Sequence, residues 1–155
     1  MKYKRLSSEE LHSLEKEFVD FLVANGIVAS DWESIKSEKK AEAEQIINHF
    51  SDVIFEGIMR KVNFLEFRDS KKITIFQCLE KKLVSVTMDA SKIENANLLD
   101  NSFISQAVSN PPEKLEVFTS EKDYEGNREE ELFKMTEKGC FITDDKLFKT
   151  LCLAL

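Results

Sequence analysis

Apolar positions recur at helical spacing along the first stretch of the chain: Leu11, Leu14, Phe18, Phe21 and Leu22, with Val19 widening the stripe and Glu15, Glu17 and Asp20 opposite. Ser7-x-x-Glu10 is a capping box, in which the serine satisfies one exposed amide at a helix start and the glutamate another. The spacing therefore predicts a helix that starts there and stops at Gly26. Ser30-x-x-Glu33 repeats the box and opens a short helical turn with Trp32 and Ile35 on one side. Lys36 to Glu44 is an exposed helix start or a connection. From about Ala41, the residues Ile46, Ile47, Phe50, Val53, Ile54 and Ile58 define a broad apolar arc, extended by Phe55 and Val62. This is the best central helix. Its end stays open, because Val62, Phe64, Leu65 and Phe67 fit either a continuing helix or a following strand.

Past Asp69-Ser70 the period changes from helical to alternating. Ile73 to Leu79 is strand-like, and after Glu80-Lys81-Lys82 the residues Val84, Val86 and Met88 alternate with Ser85, Thr87 and Asp89. The pair reads as a β-hairpin. Leu99, Phe103, Ala107 and Val108 suggest a short helix ended by Pro111-Pro112, and Leu115 to Thr119 another strand. Asn127 and Glu130 have N-cap spacing ahead of Leu132, Phe133 and Met135, with Gly139 as the stop. Thr143 with Asp144 and Asp145 opens a final helix packed through Leu147, Phe148, Leu151, Cys152 and Leu155. No repeat or Pro/Gly/Ser linker divides the chain. The expected fold is a single α+β domain over residues 1–155, with a small antiparallel sheet of three to four strands packed with about five helices.

Composition narrows the class of molecule. Of 155 residues, 42% are apolar and twelve are Phe, too apolar a mixture for intrinsic disorder. A chain of this length buries enough surface to fold without a metal or disulfide. The net charge is −7, and residues 1–60 and the remainder are each mildly acidic. Duplex nucleic acid and anionic membranes are therefore disfavoured partners, and Lys2, Lys4 and Arg5 form too short a basic cluster to reverse this. Ser7-Ser8-Glu9-Glu10 interrupts any signal-peptide core, and no apolar run reaches the roughly 18 residues of a membrane span. Cys78, Cys140 and Cys152 are odd in number and widely spaced, as expected of reduced thiols in a cytoplasm. The acidic excess gathers at helix starts and outward helix faces, where it stabilises helices and aids solubility.

Three segments, KYKRLSSEELHSLEKEFVDFL, HFSDVIFEGIMRKVNFLEF and REEELFKMTEKGC, resemble in order and spacing an uncharacterised family of small bacterial proteins, a domain of unknown function. The resemblance spans nearly the whole chain. It implies a free-standing bacterial, cytoplasmic protein and brings no activity or catalytic residues to carry over.

The sharpest chemical constellation is His49, Asp52 and Glu56, which share one helix face and could approach one metal ion. Gln45 and Arg60 share that face, which lies opposite the apolar arc, so a solvated helix surface is the preferred explanation, and His12 would add a ligand only if two helices packed suitably. Cys78 could be a nucleophile beside a histidine, yet a buried free cysteine is more often a small core residue; Cys140 after Gly139 reads the same way. Cys152-Leu153-Ala154-Leu155 formally matches a prenylation signal, but lacks a polybasic neighbour, and a bacterial chain lacks the modifying enzymes. The four glycines are isolated, so no phosphate-binding loop exists and no cofactor is expected.

Two functions fit. The first is a non-catalytic interaction or assembly protein, with a protein partner or a second copy meeting the final helix and the hairpin edge. The second is a small-molecule or metal-binding domain, or an enzyme, with a pocket between sheet and helices that uses His49 and neighbouring carboxylates.

Overall fold

A computed structural model describes residues 1–154. The fold is α+β, with seven helices and a five-stranded antiparallel sheet among the described residues. Two compact units follow each other along the chain, Met1–Arg60 and a second from Lys61 onward.

The first unit is helical: α1 (Ser8–Ser13), α2 (Glu15–Ala24), α3 (Ala29–Glu38) and α4 (Lys40–Lys61), the last ending at its boundary. The capping box at Ser7 forms as expected, each side chain accepting from the other residue's amide. The expected first helix is interrupted at Leu14, whose φ of −105° and ψ of 25° leave the helical well. Beside the break, the Ser13 hydroxyl donates to the Glu10 carbonyl at 2.8 Å, a local bond that competes with the helix ladder. Gly26, at φ +74°, closes α2 in a Schellman motif: Ile27 N–H reaches Leu22 O and Gly26 N–H reaches Val23 O. The core is aromatic. Phe18 meets Phe50 at 5.0 Å and Trp32 edge-on at 5.2 Å, and Phe21 meets Phe50 at 5.3 Å. Amphipathic spacing on α2 and α4 thus becomes one ring cluster centred on Phe50, which is 1% exposed.

In the second unit β1 (Phe64–Arg68), β2 (Lys72–Cys78), β3 (Lys82–Asp89), β4 (Glu116–Asp123) and β5 (Phe141–Thr143) take the order β4-β3-β2-β1-β5. The turn into β2 is set by Asp69, whose Oδ1 accepts from the amides of Lys71 and Lys72, both at 2.8 Å. Period-two alternation then sorts the faces. Ile73, Ile75, Val86 and Met88 join Leu98, Ile104 and Leu151, the last two from α5 (Asn101–Ser109) and α7 (Lys146–Leu153), in the buried core. The opposite face presents Phe76 and Leu83 to α6 (Arg128–Glu137).

Several expectations need correction. The sheet has five strands and not three to four. The additional strand, β5, is only three residues long, too short for alternation to reveal, and two of its residues are exposed. Seven helices replace about five: Leu14 divides the expected first helix into α1 and α2, and the expected short turn near Ser30 is a full helix, α3. The hairpin β2–β3 is interior and not an edge; β4 and β5 are the edges. Ser30 does not cap α3, since the helix begins one residue before it, with Val28 at the N-cap. Thr143 does not open the last helix: it pairs with Phe64 in the sheet, and Asp144 Oδ1 instead accepts from the Lys146 amide. The expected packing of Leu155, and the last position of the prenylation pattern, lie outside the described residues.

Candidate functional site: a groove beneath α6

A groove of about 360 Å³ opens between α6 and the sheet. Its floor is apolar, formed by Phe76 of β2, Leu83 of β3 and Met135 of α6. Strand register places these groups. Leu83 stands opposite Cys78 on one side and Lys122 on the other, so the side chains of Leu83 and Lys122 rise from the same face as Phe76. The rim comes from Lys122, the turn 125–127, Glu130, Glu131 and Lys134 of α6, and Lys138 at its C-cap.

Local chemistry fixes the helix over the sheet. Asn127 caps α6, its Oδ1 accepting from the Glu130 amide at 3.0 Å. Glu131 holds the preceding turn by accepting from the Glu125 amide at 2.9 Å and facing Lys122 at 3.7 Å. At the other end Gly139, at φ +113°, supports a second Schellman motif, with Cys140 N–H on Met135 O and Gly139 N–H on Thr136 O.

Arg128, the first residue of α6, anchors this end of the unit. Its Nη2 donates to the Val62 carbonyl at 2.6 Å and the Cys78 carbonyl at 3.0 Å, and its Nε to the Leu79 carbonyl at 3.1 Å. The Tyr124 hydroxyl donates to Leu79 O at 2.8 Å, and burial pushes the Tyr124 phenol up to about 12. One guanidinium thus ties Val62 in the connection before β1, the end of β2 and the following turn to α6.

Glu66 is a buried carboxylate on β1, 2% exposed. Burial raises its pKa above the ordinary carboxylate range, opposed by Arg68, whose Nε and Nη2 both reach Oε2 at 2.8 Å. Arg68 Nη1 is held in turn by Asn101 Oδ1 at 3.3 Å. A carboxyl with a raised folded-state pKa contributes stability that is complete below its unfolded value of 4.5 and lost as pH rises through the folded value. Glu66→Gln, which mimics the protonated acid, is therefore expected to gain stability relative to wild type between about pH 4 and pH 7, measured as paired urea midpoints. A difference independent of pH would contradict this.

The residues singled out in the sequence fall elsewhere. Asp52 takes the amides of Lys2 and Tyr3 at 2.8 and 2.9 Å. Glu56 accepts from the Tyr3 hydroxyl and from Lys2 Nζ at 2.9 Å, and faces Arg60 at 3.4 Å; these donors hold its carboxyl below the ordinary range, the Tyr3 bond first. The two carboxylates thereby fasten the amino-terminal segment to α4. His49 is exposed, its ring 5.4 Å from that of Phe21, and His12 is exposed on α1. No group of three or more His, Cys, Asp and Glu gathers to hold a metal among the described residues. Cys78 is buried in the sheet, and burial pushes its thiol up to about 12; burial likewise raises Cys140. Cys152, on α7, packs partly buried against the core.

The whole chain, residues 1–155, matches the model of a family of unknown function, DUF6495. The chain belongs to that family. No curated protein and no solved structure matches it. In this DUF6495 chain no helix is long and apolar enough to cross a membrane among the described residues. The groove draws only on residues 76–138, so His49, Asp52 and Glu56 do not line it. Its residues are far apart in sequence, which conceals it, but one signal was available. An arginine opening a helix opposes the positive end of the dipole, so Arg128 had to be placed by contacts outside its own helix.

Proposed function

We propose that this protein is a non-catalytic small-molecule binding module whose site is the groove beneath α6. The observation that carries the reading is an apolar floor of Phe76, Leu83 and Met135 ringed by charged side chains, the combination that holds and orients a small ligand. Its volume lies at the lower end of the roughly 300–1,000 Å³ typical of ligand sites. Cys78, the nucleophile candidate of the sequence, does not line the groove, and burial pushes its thiol up, which speaks against thiolate chemistry at this site. Amide chemical-shift mapping against a library of small fragments tests the site. Saturable shifts are expected at Phe76, Leu83 and residues 125–138, and saturable shifts confined to other regions would refute the reading.

A second reading is assembly with another copy of the chain through β5. Phe141 and Ile142, 47% and 52% exposed, line an edge strand that carries no charge. The other edge, β4, carries Glu116, Glu121, Lys122 and Asp123, the kind of charge that discourages edge pairing. Because the net charge is −7, an uncharged strand is where two copies approach with least repulsion. Sedimentation is expected to show a concentration-dependent dimer that Phe141→Lys abolishes. A monomer at every concentration would exclude it.

A further inference from the structure

Resting on the groove reading, we infer that the ligand is a small organic monoanion: an apolar body on the floor and one carboxylate between Lys134 and Lys138. Lys134 lies on α6 and Lys138 is the C-cap residue four positions on, so the two are neighbours at the end of one face. Among the described residues neither ammonium group has an acidic partner. The third lysine of the rim differs, for Lys122 faces Glu125 at 3.6 Å and Glu131 at 3.7 Å. Glu131 is itself committed to the Glu125 amide, so it is not positioned to neutralise Lys134 or Lys138. Two uncommitted cations beside an apolar floor therefore define the polarity of the ligand: apolar inward, negative at the mouth.

Glu130 limits the charge to one. It lies on the rim one helical turn before Lys134 and two before Lys138. A second negative group reaching towards the start of α6 would meet this carboxylate, whereas a single carboxylate at the far end meets the lysines. The helix thus presents a charge gradient along the mouth, negative at residue 130 and positive at residues 134 and 138, which orients a monoanion and disfavours a dianion.

The probes are 3-phenylpropionate and 3-phenylpropan-1-ol, which share a body and differ in charge, titrated into the full chain with amide shifts as the readout. The acid is expected to shift groove amides saturably and to bind about tenfold more tightly than the alcohol, the advantage of a charge-assisted contact. The double variant Lys134→Gln/Lys138→Gln, changed only at exposed positions, should remove that advantage while leaving the remaining amide spectrum intact. Equal affinities of acid and alcohol at the groove would overturn the anion assignment and leave the groove reading standing. Absence of groove shifts with either probe would overturn the assignment and count against the site itself.

Discussion

Phe50→Ala is expected to cost about 3–5 kcal/mol, the usual penalty for emptying a fully buried aromatic position. Phe50 is 1% exposed and meets both Phe18 and Phe21, so alanine removes the centre of the ring cluster in the first unit. Helical propensity will not compensate, since short helices in water depend on packing of their apolar faces. The chain's only tryptophan, Trp32, reports the loss, because it packs edge-on against Phe18. Urea unfolding followed by Trp32 fluorescence should show a lower midpoint, with emission already shifted to the red in the most affected preparations. A cost below about 1 kcal/mol would mean that the cluster is not the centre of this unit.

Arg128→Ala is expected to destabilise the second unit by about 3 kcal/mol, since several carbonyls lose a charged donor at once. The carbonyls concerned belong to Val62, Cys78 and Leu79, and Leu79 O also accepts from the Tyr124 hydroxyl. Arg128→Lys keeps the charge but replaces a planar fork with one compact ammonium group, and should recover less than half of the loss. Hydrogen exchange at the Cys78 amide, bonded to Asn63 O at 2.8 Å, reads the effect at the junction itself. Full recovery by lysine would show that charge alone, without the fork geometry, holds the site.

Sequence legibility followed the length scale of each interaction. The box at Ser7, the stops at Gly26 and Gly139 and the cap at Asn127 act within a few residues, and each forms where the sequence placed it. The hairpin β2–β3 was visible because alternation persists over many residues, and residues 62–67 are a two-residue connection after α4 followed by β1. Ser30 misled because its capping pattern lies one residue inside the actual helix start. β5 was hidden by its three-residue length and its exposed Phe141 and Ile142. The site was less legible still. His49, Asp52 and Glu56 share a helix face, but the donors of Lys2 and Tyr3, about fifty positions away, determine what Asp52 and Glu56 do. The groove joins Phe76, Leu83 and Met135 only through sheet register and the placement of α6. Net charge was informative about solubility but not about the uncommitted pair Lys134 and Lys138, which is a local imbalance inside an acidic chain.

The most direct measurement of the groove's role is fragment mapping by amide shifts on wild type and on Met135→Trp in parallel. Indole at position 135 fills the floor from a half-buried helix site, and unperturbed amide shifts in α5 and α7, across the sheet in the same unit, report that this unit is folded. The expected result is saturable shifts at Phe76, Leu83 and residues 125–138 in wild type, lost in Met135→Trp. Shifts that survive the substitution, or that gather around Phe141 and Ile142 instead, would contradict a ligand site beneath α6.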